Sequence, residues 1–436
     1  MRRVPKVLAG MLNRFRQGLF WVSSLAMLFF IAAPLAQAEN EDMLEVKVSG
    51  GQEIHVRRYA AAGDTLALWI GASFGYHERH EQVSRALAAR GVEVWQADFI
   101  ESLFMPRGSD SMRQLKADYV TDLIASAHAR SGKQIVLLAR GYDAIGALRG
   151  VRVWQSRKPG KPYLIGAVLF SPELYSGVPA LGMQPRYVDV TYATNIPVMI
   201  YQGEKRGNRW NLPALLSHLQ QGGAQVYFQV EQGVNDLFYH KDDSPATLAG
   251  LQYLPAQLIG IFKLLAKTPT PRQAAPLLTH TDTIKTRLDY ELRPFMADLK
   301  PIPIDLYDID GKHIVRNDYR GKVTVINFWA TWCPPCVQEI PSLNRLRAKM
   351  QGYAFELISV NYAETPEHVR QFMQEIKVDF PVLMDVTGAD SAKWNVIAYP
   401  STFVIGPDGK IHYGVNAAIE WDEDPIVNTL QKLLQP

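Results

Sequence analysis

Cys333 and Cys336 are the only cysteines in the chain, and two prolines separate them. A Cys-x-x-Cys pair can serve metal binding, covalent haem attachment or reversible disulfide exchange. Haem attachment wants His directly after the second cysteine, where this chain has Val337. Zinc would need two further ligands, and no nearby His pair has the spacing to supply them. Dithiol chemistry fits best. An apolar run, Val323–Phe328, leads through Trp329-Ala330-Thr331-Trp332 to the first cysteine, so a strand should deliver Cys333 to the start of a helix. Unpaired amides and the positive end of a helix dipole stabilise a thiolate there, and the thiolate is the reactive species. Pro334 and Pro335 suit the first turn, where no amide donor is required, and they stiffen the loop. Cys333, at the helix start and exposed, is expected to attack, and Cys336 to resolve.

The N-terminus bears on the compartment. Arg2, Arg3, Lys6, Arg14 and Arg16 precede or flank an apolar run, Gly18–Ala36, which ends in Ala36-Gln37-Ala38. That is the order of a secretory signal covering residues 1–38, with cleavage expected after Ala38. An uncleaved anchor is the alternative, because the run approaches the ~20 residues that span a bilayer. Either way residues 39–436 should lie outside the cytoplasm, in a periplasm, and no later stretch reads as long and apolar enough to span. In an oxidising compartment two lone cysteines this close are expected to work rather than to staple. Five of the 46 basic residues and none of the 43 acidic ones fall in the leader, so the remainder is near neutral. This gives no case for a nucleic-acid binder, which would normally show a concentrated basic surface. Two cysteines also exclude a disulfide framework and a four-thiolate zinc site.

A chain of 436 residues suggests two or three domains. Met43–Tyr59 reads as two strands around Gly50-Gly51, and strands then alternate with helices: Leu66–Ile70, helix His77–Arg90, Val92–Ala97, helix Ser111–Arg130, Ile135–Leu138, Ile165–Phe170, Val198–Tyr201 and Val226–Val230. Such alternation implies a parallel, doubly wound sheet. A last helix, Pro245–Lys267, runs into Thr268-Pro269-Thr270-Pro271, a boundary signal. The organisation is therefore a leader (1–38), a first α/β domain (39–267), a linker (268–300) that is partly helical from 277, and a second α/β domain (301–436).

The second domain resembles the thioredoxin superfamily, specifically the TlpA/ResA-type periplasmic thiol-disulfide oxidoreductases. The resemblance covers about Pro301–Leu434. It rests on Asp308-Ile309-Asp310-Gly311-Lys312, Arg320-Gly321-Lys322, Trp332-Cys333-Pro334-Pro335-Cys336, Glu339-Ile340-Pro341, Tyr399-Pro400-Ser401-Thr402-Phe403 and Gly406-Pro407-Asp408-Gly409-Lys410. It implies a helix kinked at Pro341, a cis Tyr399-Pro400 bond facing the dithiol, and an insertion with helix His368–Val378 and strand Val382–Met384. Trp332, Pro334, Pro335, Tyr399 and Pro400 would line the client-binding surface. Asn327 stands where many thioredoxins carry a buried Asp, and Glu339 matches an acid of the TlpA/ResA group. One helical turn from Cys336, Glu339 would handle the resolving thiol's proton; a solvated helix carboxylate is the alternative. The implied activity is reduction of client disulfides, in some members those of cytochrome c maturation. It needs no cofactor beyond the redox-active Cys333–Cys336 pair, and implies a membrane-embedded electron donor.

Residues 43–266 resemble the α/β-hydrolase fold by element order. Gly71-Ala72-Ser73-Phe74-Gly75 satisfies G-x-S-x-G, but it follows the third strand, and the motif needs a strand–turn–helix context after the fifth. There the chain reads Arg140-Gly141-Tyr142-Asp143-Ala144-Ile145-Gly146, with Asp143 in the nucleophile's place and Ile145 in a glycine's. No His occurs in Gln232–Phe238, where the base is expected; His240 is a weak substitute, and Glu204 could act only beside both. Without a base, ester hydrolysis cannot be completed. His77-Glu78-Arg79-His80-Glu81 reads as a polar helix face rather than a metal site. The expected fold class is thus an N-terminal α/β-hydrolase-like doubly wound sheet, blunted in chemistry, plus a C-terminal thioredoxin fold. The competing readings are a hydrolase with an attached redox domain and a client-binding protein on a thioredoxin scaffold.

Overall fold

The computed structural model describes residues 41–71, 73–157, 163–239, 242–271, 273–277 and 291–435. The proposed leader and His240 lie outside them. The first sheet has eight strands: β1 (Glu41–Val48), β2 (Gln52–Tyr59), β3 (Thr65–Gly71), β4 (Glu93–Asp98), β5 (Gln134–Arg140), β6 (Leu164–Phe170), β7 (Val198–Gly203) and β8 (Val226–Glu231). Their order is β1-β2-β4-β3-β5-β6-β7-β8. The β1–β2 and β2–β4 pairs are antiparallel, and every pair from β4 to β8 is parallel. Parallel strands buried on both faces need apolar residues at successive positions. In β3, Leu66, Leu68 and Ile70 enter one core with Val120, Leu123 and Leu148, while Ala67 and Trp69 enter the other with Val83, Leu258 and Phe262.

The second sheet orders its strands β14-β13-β12-β15-β16-β9: β9 (Arg293–Pro294), β12 (Val323–Trp329), β13 (Phe355–Tyr362), β14 (Val382–Asp385), β15 (Ser401–Ile405) and β16 (Ile411–Val415). A separate hairpin joins β10 (Asp305–Tyr307) and β11 (His313–Val315). The trio β12–β14 is parallel, and β15, β16 and β9 continue antiparallel. The central β12 is buried along its whole length.

Three expectations are corrected. The helix read over Ser111–Arg130 is two, Ser109–Gln114 and Ala117–Ser131, with Leu115 and Lys116 extended between them. The break lets Leu115 pack into the core, where its side chain lies over Gly146 so closely that a β-carbon there would sit 3.0 Å away. A stretch after the leader does have the length and apolarity to cross a membrane, the helix Pro245–Lys267. One of its faces is already used: Leu254, Leu258, Phe262 and Leu265 are buried in the first sheet's core. Of the connector expected to be partly helical, residues 278–290 lie outside the described ones, and Arg293–Pro294 is an edge strand of the second sheet.

Candidate active site

At the end of β12 the chain turns so that Cys333 caps the helix Pro334–Lys349. The Cys336 amide donates to Cys333 Sγ at 3.3 Å, the contact expected of a thiolate-stabilising helix start. The two cysteines form a disulfide. Pro334 and Pro335 occupy the first turn and are exposed, and Pro341 lies within the same helix. Cys333 was expected to be exposed; in the disulfide it is only 5% exposed and Cys336 is 0%. The physical reason is local packing, because both sulfurs belong to an apolar cluster against which Trp332 and Tyr399 pack. The Trp332 and Tyr399 rings meet edge to face at 5.8 Å. Tyr399-Pro400 is cis. The approach to the dithiol is fixed from behind by Glu364, whose carboxylate accepts from the Thr331 amide and from Asn361 Nδ2, both at 2.8 Å.

Glu339 is not a solvated helix carboxylate. It is 2% exposed, one turn along from Cys336. Burial pushes its carboxyl up to about 7, against donors that favour the charged form: Trp421 Nε1 at 3.1 Å, Asn327 Nδ2 at 2.7 Å and the Ile419 backbone. Asn327 also donates to Thr402 Oγ1 at 2.9 Å, so it orients the carboxylate from the neighbouring strand. A carboxyl balanced near neutrality can take or return a proton at working pH. Sequence reasoning missed Trp421 and Glu364. The first is 82 positions from its partner, and the second follows a left-handed Ala363 (φ 55°) that nothing in the sequence announces.

Among the described residues the hydrolase-type candidates Ser73, Asp143 and Glu204 are engaged with backbone amides or with one another, and His240 lies outside them. The turn after β5 has its left-handed residue at Gly141 (φ 51°), not at Asp143, which begins the helix Asp143–Arg157. The position read as the nucleophile's is corrected: the strained apex has no side chain to react. Asp143 instead accepts the Ser73 amide at 3.2 Å, and both residues are buried. Its carboxylate fills the space beside Gly71, where a β-carbon would lie 2.3 Å from Oδ2. Glu204 accepts the Gly233 amide at 2.8 Å. The helix face expected to be polar is partly core: Arg79 and His80 are buried, and His80 stacks on Phe238 at 4.5 Å. Burial pushes the His80 imidazole down to about 3, so it stays neutral. Among the described residues no cluster of metal-ligating side chains occurs.

A sheet whose buried central strand leads into a buried Cys-x-x-Cys at a helix N-terminus, with a cis-proline after the tyrosine that packs beside it, defines a thioredoxin-like domain. Residues 298–414 match the model of the AhpC/TSA family. The thiol-disulfide oxidoreductase ResA of Bacillus thuringiensis subsp. konkukian (strain 97-27) is 38% identical over 104 residues, 24% of this chain and 60% of that protein. ResA of Bacillus subtilis (strain 168) is 36% identical over 106 residues, 24% of this chain and 59% of its own. The chain thus spans about 60% of the length of these curated relatives. A solved thiol:disulfide interchange protein of the thioredoxin family from Chlorobium tepidum TLS is 27% identical, with TM-score 0.27, covering 31% of this chain and 99% of that one. StoA from Bacillus subtilis gives 22% identity and TM-score 0.27, covering 31% and 98%.

Proposed function

We propose that this protein is an exported thiol-disulfide oxidoreductase that reduces client disulfides with the Cys333–Cys336 dithiol. The observation that carries the reading is the helix-start disulfide with a buried carboxyl of raised pKa one turn away. In the reduced protein the Cys333 thiolate attacks one sulfur of a client disulfide, forming a mixed disulfide and releasing the client's other sulfur as a thiolate. Glu339 takes the Cys336 proton. The Cys336 thiolate then attacks Cys333 Sγ, closing the intramolecular disulfide and freeing the client's second thiolate. Two electrons pass to the client, and a membrane-embedded donor restores the dithiol. Trp332, Pro334, Pro335, Tyr399 and Pro400 form the surface that receives the client. Residues 1–38 act as the export signal, cleaved after Ala38 or kept as an anchor, and place residues 39–436 in a periplasm. The domain limits are 39–267 and 301–436, joined by 268–300.

The first domain is a blunted α/β-hydrolase-like module. Its strand order supports that kinship, and Gly141 at the apex of the elbow supports its loss of hydrolytic chemistry. Ser73→Ala and Asp143→Ala should therefore leave the rate of thiol exchange unchanged, and the wild type should give no turnover across a panel of esters. Hydrolysis that either variant abolishes would favour the hydrolase reading instead.

Direction follows from what surrounds the thiolate. DsbA, an oxidant at about −120 mV, stabilises its reduced form strongly, whereas thioredoxin at about −270 mV is a reductant. Here two prolines intervene and no His stands between the sulfurs, so little extra charge stabilisation is built in. Equilibration with glutathione buffers and alkylation of free thiols should give a potential nearer thioredoxin's. A value above about −150 mV on that scale would make the protein an oxidant.

A further inference from the structure

Part of the dithiol face is covered by the N-terminal portion of the same chain. Tyr239 Oη donates to the carbonyl of Trp332, the residue before Cys333, at 3.0 Å. At Gly207 the three atoms closest to an added β-carbon all belong to the segment leading into the cis-proline: Tyr399 Cε2 at 3.5 Å, Ile397 O at 3.6 Å and Tyr399 Oη at 3.9 Å. A third contact comes from the loop 179–184. Gln184 Nε2 donates to Asn395 Oδ1 at 2.7 Å, Asn395 Nδ2 to Gly182 O at 3.0 Å, and Asn416 Nδ2 to Pro179 O at 2.8 Å.

The residues making these contacts are braced. The Tyr239 amide donates to Asp236 O at 3.1 Å. The Asp236 carboxylate is held by Arg140 Nε at 2.8 and 3.0 Å and by Arg206 at 3.7 Å. Arg206, next to Gly207, also pairs with Glu173 at 2.6 Å. The desolvation cost of burying such charges is offset only by close pairing and hydrogen bonds, which each member of this network has. The exchange chemistry does not use this network, and its position makes it the support for Tyr239 and Gly207.

We infer that the N-terminal portion is a docked cover over the client-binding face, so that a protein disulfide is reduced only from an open form. This rests on the proposed oxidoreductase reading. An extended client must reach the backbone beside Pro400 to pair with it, and in the closed form Gly207 packs against that segment and Tyr239 engages the Trp332 carbonyl. The apparent rate toward a protein client then scales with the open fraction. A small disulfide, needing only the sulfur beside the exposed Pro334 and Pro335, escapes most of that restriction.

The test uses the full chain in its reduced form, with insulin as the protein disulfide and oxidised glutathione as the small one. Gly207→Leu drives a wedge into the contact, and the backbone there lies outside the left-handed region that would reject a side chain. Tyr239→Phe keeps the ring and removes the hydroxyl that donates to the Trp332 carbonyl. Insulin reduction should accelerate about fivefold in Tyr239→Phe, the factor expected for one lost hydrogen bond, and further in Gly207→Leu, while the glutathione rate stays unchanged. An insulin rate that is unchanged or lower overturns the cover; a lower rate would make this surface a wall of the client site. Should Gly207→Leu fail to fold, Tyr239→Phe decides alone. A wild type that reduces neither disulfide would sink the oxidoreductase reading, and the cover with it; that failure is distinct from an insulin rate that does not respond.

Discussion

Cys336→Ser should arrest exchange halfway, with Cys333 held in a mixed disulfide to its client and multiple turnover lost. Cys333→Ser should lose turnover as well, but trap nothing. The asymmetry comes from geometry. Cys333 caps the helix, accepts the Cys336 amide and keeps a sliver of exposure, whereas Cys336 is sealed beneath the first turn. Only the first sulfur can meet an incoming disulfide, and only the second is placed to release what the first has captured. Dipole and amide both act on the thiolate at the helix start and fade within a turn. Incubating each variant with a disulfide-bonded protein, quenching with acid and resolving the products without reductant would show the adduct in one lane. Adducts in equal amount from both variants would refute the assignment of attack to Cys333.

What the sequence reveals of this site is what local periodicity and short spacing can encode. The largely apolar run Val323–Phe328, interrupted by Thr324 and Asn327, reads as a buried strand, and the two prolines after Cys333 mark a helix start, so the dithiol's placement is legible from about fifteen residues. The strand series of the first sheet is legible for the same reason, as is the helix Pro245–Lys267. Contacts between distant residues are not. Nothing near Glu339 announces that Trp421 and Asn327 will converge on its carboxylate, so a helix-surface carboxylate and a buried one look alike in the sequence. At the turn after β5, Gly-x-Asp fits two registers, and only the backbone tells that Gly141 takes the left-handed position. The split at Leu115 follows from the close approach of a helix carrying Gly146, again a long-range cause. Tyr239 falls just beyond Gln232–Phe238, the segment read only for a missing histidine, yet its hydroxyl reaches the carbonyl of Trp332, the residue before Cys333.

Glu339→Gln should slow exchange about a hundredfold at and above neutrality, the usual scale for losing a positioned proton acceptor, and should remove an inflection near pH 7 from the rate profile. The carboxyl is held at about 7, so in the wild type it becomes able to accept the Cys336 proton as pH rises through that value. Gln has no such transition, and whatever pH dependence the variant keeps belongs to the thiols. Stability supplies a second readout with a definite sign. Between its ordinary 4.5 and about 7 the folded protein keeps a proton that the unfolded chain has lost. Folding stability of the wild type therefore falls as pH rises across that window, by roughly 3 kcal/mol in all. The variant lacks this slope. It carries instead a constant loss, because its amide group offers a single oxygen to Trp421 and Asn327 and must turn its own donors toward one of them, at about 1–3 kcal/mol. The informative quantity is accordingly the change between pH 4.5 and pH 8 in the difference between the two proteins' urea midpoints, not the difference at one pH. That change should favour the variant at the higher pH. If both the rate profile and the stability slope survive the substitution, the buried carboxyl is only a packing partner of Trp421 and the resolving thiol finds its proton acceptor elsewhere.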